Sequence, residues 1–432
     1  MTAQASSIST DVNAGKRRHA IAAATIGNGL EWFDFTVYGF FTPIIARLFF
    51  PATDDLTSIL LTVGTYGVGF FMRPVGAVVL GVYADKHGRK AALTFTILMM
   101  AVGTALLGLA PTYAQAGIVG PLVIVLARLI QGFSAGGEIG GATAFLIEYA
   151  PPEKRGFYAS WQQTSQALAV VLGGICGTIV THALDPAAID SWGWRVPFLL
   201  GLLIGPVGFY IRARVDETPV FTDSHTQKSQ SPLRDALREH PRGIASGFGV
   251  TILWTVCTYV LLFYMTTYAV KQLNIPLGDA FVATTIGGLV LMLGCPIAGA
   301  ISDRVGRKRL LLTAAIAIGV LIYPLFAWVN ASPTLATLAI VQAILGLLLA
   351  AFTGPAPALL AEQFPAGLRS TGLSLAYNFA VTIFGGFAAV IVTLLIEATG
   401  TKLAPSFYVM AAALVSALTL LTMKDKTGEP ID

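Results

Sequence analysis

The chain has 432 residues, 55% of them hydrophobic and 12% charged, with a mean hydropathy of +0.72. Soluble globular domains carry about 25% charged residues, so the composition excludes one and indicates a polytopic membrane protein. A formal net charge of +4, with basic residues scattered over loops, offers no basic face to nucleic acid.

Residues 1–19 are polar and end in Lys16-Arg17-Arg18-His19, with no apolar run ahead of a small-residue cleavage site, so a cleaved leader is not expected. A bilayer-crossing helix needs about 20 apolar residues. The sequence offers twelve such stretches, at 20–47, 57–84, 91–111, 118–148, 157–183, 193–213, 243–270, 277–301, 309–329, 334–361, 371–397 and 403–423. The longest polar stretch, Arg214 to Pro241, separates six from six. An all-α membrane protein follows: an N-terminal tail (1–19), a six-helix bundle (20–213), a central loop (214–241), a second six-helix bundle (242–423) and a tail (424–432). Cys176, Cys257 and Cys295 fall inside apolar runs and read as small packing residues, without disulfide or metal spacing.

Of 27 lysines and arginines, Arg73 and Arg128 lie within the spans, and Arg47, Arg195, Lys271 and Lys402 lie opposite the N-terminus. The remaining 21 share the N-terminal side, which the positive-inside rule places in the cytoplasm with both termini and the central loop.

Two charged loops recur. GVYADKHGRK (81–90) and GAISDRVGRK (299–308) are 218 positions apart, and EYAPPEKRG from Glu148 and EQFPAGLRS from Glu362 are 214 apart. Two motif pairs at nearly one offset indicate an internal duplication, each copy between the same helices of its half. Parallel six-helix repeats are one way two-bundle transporters are built.

The G-x-x-x-D-[RK]-x-G-R-[RK] loop, with Arg128-Leu-Ile-Gln131-Gly132 and Gly136-Gly137-Glu138 in the fourth span, resembles the signature of the major facilitator superfamily. GNGLEWFDF (27–35), FMRPVGA (71–77), WGWRVPF (192–198) and DETPVF (216–221) are similar to its metabolite:proton symporter family. SWQQTSQALAVV (160–171) and TGLSLAYNFAVTIFGG (371–386) most resemble the citrate and tricarboxylate members. The resemblance implies a twelve-helix fold of two pseudo-symmetric bundles, working by alternating access and driven by the proton gradient.

The repeated loops are gate candidates. Gly81, Asp85, Gly88 and Arg89, with Glu148 and Arg155, form the first set; Gly299, Asp303, Gly306 and Arg307, with Glu362 and Arg369, form the second. Asp85 can accept backbone N–H groups at a helix N-terminus, where the macrodipole favours an anion. Arg89 can pair with Glu148, and Arg307 with Glu362. The bland alternative is that these charges only orient loops.

Ionisable residues at bilayer depth are costly and default to function. Glu31, Asp34, Arg73, Arg128 and Glu138 all lie in the first half, where coupling and anion chemistry are therefore expected. Rise per residue puts Asp34 and Arg128 near mid-membrane, where a pair can act as a proton switch; such an acid–Arg pair also occurs in related sugar porters, as the resemblance implies. A static buried salt bridge is the alternative, and Glu31 and Glu138 are alternative proton carriers. Arg73 and Arg128 are the cations available to substrate carboxylates, each with a bidentate fork. Arg73 precedes Pro74, so a kink could open a pocket there, unless the side chain only snorkels to the interface. Asn28, Gln162, Gln163 and Gln166 are candidate polar lining, with Tyr259, Tyr264, Tyr377 and Asn378 from the second half. Amides bonding across helices and aromatic packing are the alternatives. His182 reads as interfacial.

The expected activity is proton-coupled uptake of citrate or a related tricarboxylate across a bacterial inner membrane, by a monomer without cofactor or protein-bound metal. A metal complexed to citrate would arrive as substrate. No phosphate-binding loop appears, so ATP is not the direct energy source. The alternatives are symport of 2-oxoglutarate or another dicarboxylate, of shikimate, or of a zwitterionic solute. The fifth span lacks the Gly-x-x-x-Gly-Pro pattern of drug antiporters, and the nine-residue tail is unlike the long coiled-coil tails of osmosensing relatives. A transporter-like sensor would carry an appended signalling domain. No nucleophile–base constellation suggests an enzyme.

Overall fold

A computed structural model describes residues 25, 28–29, 32–52, 54–87, 89–136, 140, 142–143, 146–147, 150–202, 206, 232–365 and 368–429. Among them the chain is helical, with no strand. The long elements are α1 (32–40, continuing as Thr42–Phe49), α2 (Asp55–His87), α3 (Arg89–Leu109), α4 (Val119–Ala135), α5 (Arg155–Ala183) and α6 (196–202) in the first half. The second half holds α7 (Pro241–Cys257), α8 (Leu277–Val305), α9 (Arg307–Ala331), α10 (Leu335–Thr353), α11 (Arg369–Ala380, resuming as Ala388–Thr399) and α12 (Ala404–Thr422). Among the described residues, eight helical stretches are long and apolar enough to cross a membrane, and α3 and α4 contribute shorter apolar segments.

Local sequence explains the boundaries. Thr334 caps α10 by accepting from the Thr337 N–H, and Gly306 ends α8 at φ +96°, a conformation that disfavours side-chain-bearing residues. Helix α2 runs unbroken through Pro74, as membrane helices tolerate when neighbours re-satisfy the freed backbone group. Two spans are not α-helical throughout. Helix α7 passes into a π-helical turn at Thr258–Phe263, and α11 contains another at Val381–Gly386. Both turns face the first half or each other: Gly386 abuts Phe70, and Gly385 abuts Tyr259. Such turns re-aim side chains locally and concentrate at functional sites.

Helix α2 packs along α4, α5 along α8, α8 along α10, and α12 against α7 and α9. The α2–α4 contact brings two backbones together. A Cβ added at Gly132 would overlap the Gly69 carbonyl, and one at Gly136 would overlap that of Arg73. Small residues at helix interfaces permit this approach in a bilayer, and here it sets Arg73 and Arg128 beside one another's helices.

Candidate functional site

Arg73 and Arg128 are both buried, at 2% and 0% exposure, so neither snorkels to an interface. The Arg128 guanidinium lies 4.6 Å from the Phe35 ring centre and 4.7 Å from those of Tyr38 and Tyr66. Arg73 lies 5.3 Å from Phe70, 5.7 Å from Trp32 and 6.0 Å from Phe35. The two cations therefore flank one phenyl ring. Aromatic faces stabilise a desolvated cation without using its N–H groups. Nε and Nη1 of Arg73, and Nε and Nη2 of Arg128, have no hydrogen-bond partner. Nor does either guanidinium form an ion pair with a described carboxylate. A buried cation is costly without an anion, and none of the described carboxylates supplies one here.

Asp34 is buried, but it does not pair directly with Arg128. The Thr104 hydroxyl donates to Asp34 Oδ2, the Gln131 amide Nε2 donates to Thr104 at 3.2 Å, and Arg128 Nη1 donates to Gln131 Oε1 at 2.8 Å. The expected ion pair is thus a relay through two neutral side chains. Counting rise along α1 and α4 gives height in the membrane but not rotation about each helix, so the gap was not readable. Asp34 Oδ1 has no partner and abuts Gly201. Glu31 and Glu138 lie outside the described residues.

Around the arginines, Tyr259 reaches in from the α7 π turn, 5.3 Å from Phe70 and 6.2 Å from Tyr66 between ring centres. Its hydroxyl and that of Tyr66 are unpartnered, as are Nε2 of Gln162, Gln163 and Gln166 and Oδ1 of Asn378. Gln163 and Gln166 line a closed cavity with Thr258, Phe263, Leu291 and Thr353, with room for about one water molecule. Other candidates are committed elsewhere. Asn28 Nδ2 donates to Ser165 Oγ at 2.7 Å and to the Gln162 carbonyl, Gln162 Oε1 accepts from Thr143, and Asn378 Nδ2 donates to the Gly136 carbonyl at 3.1 Å. Tyr264 hydrogen-bonds Thr393 on α11, and Tyr377 packs edge-on to Trp254. His182 is exposed at the end of α5, its ring nitrogen 3.0 Å from the Thr178 carbonyl.

At the face bearing the charged loops, Asp303 crosses between the halves. Its Oδ1 accepts from the Gly156 N–H at 2.8 Å and its Oδ2 from the Phe157 N–H at 2.9 Å, the first turn of α5. Arg307 Nη2 donates to Asp303 at 3.0 Å, and Nη1 lies 3.1 Å from Glu362 Oε1, within ion-pair range but off hydrogen-bond geometry. Gly299 and Gly156 bring the backbones of α8 and α5 together here. Burial pushes Glu362 up to about 7, against the pull of Arg307 and then Arg155. Arg155 donates to the Glu429 carbonyl at 2.8 Å, and the Arg307 N–H donates to Thr427 at 3.0 Å, so residues 427–429 lie across this junction. Arg369 Nε donates to the Ala361 carbonyl. Gly81 falls within α2; the side chains of Asp85 and Arg89, and all of Gly88 and Glu148, lie outside what is described. On the opposite face Lys271 pairs with Asp55 at 2.7 Å, also between the halves, in an exposed position.

Thr104, Gln131 and the rings of Trp32, Phe35, Tyr38, Tyr66 and Phe70 were not anticipated as site residues. Gln131 was findable: three residues after Arg128, it shares that residue's helix face.

The sequence matches the family model described as Major Facilitator Superfamily over residues 24–326 and 279–431. It is 38% identical to a citrate-proton symporter of Salmonella typhi over 91% of each chain, and 37% identical to that of Klebsiella pneumoniae over 94% of this chain and 91% of the relative. The proline/betaine transporter of Escherichia coli (strain K12) is 33% identical over 98% of this chain and 86% of its own. Among solved structures, the fold superposes on the proton:xylose symporter XylE bound to 6-bromo-6-deoxy-D-glucose with a TM-score of 0.79 at 16% identity, covering 97% of this chain and 98% of that one.

Proposed function

The chain belongs to the major facilitator superfamily, and from that premise we propose that it imports citrate or a related tricarboxylate together with protons. One observation carries this reading: two buried guanidinium groups beside a shared aromatic ring, Phe35, keep N–H donors without a hydrogen-bond partner and form no ion pair with a described carboxylate. A substrate with several carboxylates supplies the missing anions, each able to accept a charge-assisted, bidentate pair. Tyr259, Gln163, Gln166 and Asn378 add neutral groups from both halves. Asp34 is the proton carrier in this reading, with Glu31 and Glu138 as the alternatives, and Arg128 is the group its charge state governs.

A contact between the halves closes each face, Asp303 to α5 at one and Lys271 to Asp55 at the other. Substrate entry therefore requires one latch to open, by rocking of the bundles 20–213 and 242–423 about the site. We place the protein in a bacterial inner membrane with both termini cytoplasmic, functioning as a monomer without cofactor or protein-bound metal. The face bearing Asp303 is then the cytoplasmic gate.

The proline/betaine relative favours a second reading, a zwitterionic solute. Aromatic rings attract quaternary ammonium groups, but here those rings already hold two arginines, which repel an ammonium. The test is uptake of labelled citrate into proteoliposomes, with and without an inward proton gradient, challenged by unlabelled acids. Gradient-dependent accumulation competed by tricarboxylates supports the reading. Uptake of 2-oxoglutarate, shikimate or betaine without citrate discards the substrate and keeps the mechanism.

A further inference from the structure

The Thr104 hydroxyl has one hydrogen and two acceptors in reach: Asp34 Oδ2, to which it makes its short contact, and the Met100 carbonyl at 3.0 Å. Its oxygen also accepts from Gln131 Nε2 at 3.2 Å. The orientation of Gln131 is fixed at its other end, because Arg128 can only donate and so requires Oε1, at 2.8 Å. The four groups form one directed chain from cation to anion, Arg128 to Gln131 to Thr104 to Asp34. All of its members are buried. Among the described residues, Arg128 is the charged group facing Asp34, while Arg128 itself faces Tyr38, Tyr66 and Tyr259 as well.

We propose that Thr104 is a two-position hydroxyl switch, and Gln131 its link, through which the proton on Asp34 controls the availability of Arg128 to a substrate carboxylate. The inference rests on the symport reading above for its substrate arm and on geometry alone for its proton arm. With Asp34 ionised, Thr104 donates to it, and every dipole in the chain is polarised between the two charges. When a proton enters from the aqueous side, the only bond formed is the carboxyl O–H. That group must donate, and Thr104 Oγ1 is placed to accept. The Thr104 hydrogen then turns to the Met100 carbonyl, while its oxygen still accepts from Gln131. The anionic end of the chain is gone, and Arg128 is left with an amide oxygen, three aromatic faces and two free N–H positions. A substrate carboxylate takes them. Release of the proton on the other side restores the chain and weakens the hold on substrate. The switch turns when the proton resides on Oδ2, the oxygen that faces Thr104; Oδ1 has no hydrogen-bond partner.

Thr104 and Gln131 are positioning residues, so the readout must be one that mere structural support would not move. The pH at which Asp34 is half-protonated is read in lipid-reconstituted protein from its carboxyl infrared band, identified by its absence in Asp34→Asn. Thr104→Val keeps the shape and removes the donor to the ionised form. Losing one hydrogen bond to a charged group is expected to raise the midpoint by about one to two pH units. Thr104→Ser, which restores the hydroxyl, is expected to return it to the wild-type value. Thr104→Ala takes the place of the valine variant if that one does not fold. A midpoint in the hydroxyl-free variant within about 0.3 unit of wild type overturns the switch, as does an equal shift in the serine variant. Saturating citrate is expected to raise the wild-type midpoint, because linkage is reciprocal, and to raise it severalfold less in Gln131→Met. A full citrate shift in Gln131→Met overturns the link. No citrate shift in wild type, with the Thr104→Val shift intact, discards citrate as the substrate and leaves the switch standing.

Discussion

Asp303→Asn tests whether the charged loop is a gate or only orients a loop. The carboxylate accepts two N–H groups from the first turn of α5, at 2.8 and 2.9 Å, and one from Arg307 at 3.0 Å. Asparagine preserves shape but has one acceptor oxygen, so its NH2 must confront one of those N–H groups. The loss is one charge-assisted hydrogen bond, about 1.5–3 kcal/mol, and a charge at a helix N-terminus, about 0.3–1 kcal/mol. Together they shift the closed-to-open equilibrium of this face by about 2–4 kcal/mol, or roughly 30- to 1000-fold. Loop orientation alone predicts no such shift, because the bonds join α8 to α5 across the two halves. Spin labels at the exposed Glu153 and Arg304, after replacement of the three free cysteines, report that separation by pulsed electron resonance. A new population at longer distance is expected in the variant. A distance distribution identical to that of the parent refutes the gate.

Other perturbations separate the remaining roles. Glu362 sits at about 7 in the closed junction through burial, and opening hydrates it and returns it toward 4.5. Its proton is therefore held more tightly when the gate is closed. Below 4.5 both states are protonated; between 4.5 and 7 acid favours closure; above 7 the closed state bears the full cost, about 3 kcal/mol. The same spin labels should show closure gaining as pH falls through 7, and Glu362→Gln should flatten the response; closure that grows with rising pH contradicts the assignment. Arg128→Lys keeps a charge but loses the fork, at a cost of about 1.5–3 kcal/mol, so citrate binding should weaken roughly tenfold to a hundredfold. Equal citrate affinity in scintillation-proximity binding would remove Arg128 from the site. Gly132→Ala places a methyl against the Gly69 carbonyl and must part α2 from α4. The midpoint of thermal unfolding should fall, by an overpacking cost of about 1–3 kcal/mol, together with citrate binding; wild-type values for both would show that the close approach does not hold the arginines.

What could be read in the sequence, and what could not, divides along a physical line. The Asp303–Arg307–Glu362 cluster was legible because its pattern is short-range in sequence: Asp303 and Arg307 are four residues apart, and Glu362 recurs at the offset set by the duplication. Its partner on α5 was not, since the groups involved are backbone N–H donors of Gly156 and Phe157, which carry no side-chain signal. Arg73 and Arg128 fall inside apolar spans by sequence, and both are buried within the protein. The direct Asp34–Arg128 pair failed because rotation about a helix axis is fixed by packing, in this case by the glycines that draw α2 onto α4. Thr104 was invisible for a further reason. A lone threonine in an apolar helix ordinarily bonds its own i−4 carbonyl, and Thr104 keeps that option at Met100. Aromatic residues of the first half pack, and they also solvate two cations with which no described carboxylate pairs.

This difference bears on mechanism. The charged loop occurs in both halves, whereas Arg73, Arg128 and Asp34 all lie in the first. Rocking two bundles requires each to have its own contact with the other, so a gate motif suits duplication. Coupling requires that one proton and one substrate meet at the same cation, and a second copy at the symmetry-related position would let either bind without the other. From the second half, Tyr259 on a π turn and Asn378 approach the first half, both neutral. They can contact a substrate held by the first half without holding a proton of their own, so the proposed coupling rests with the first half.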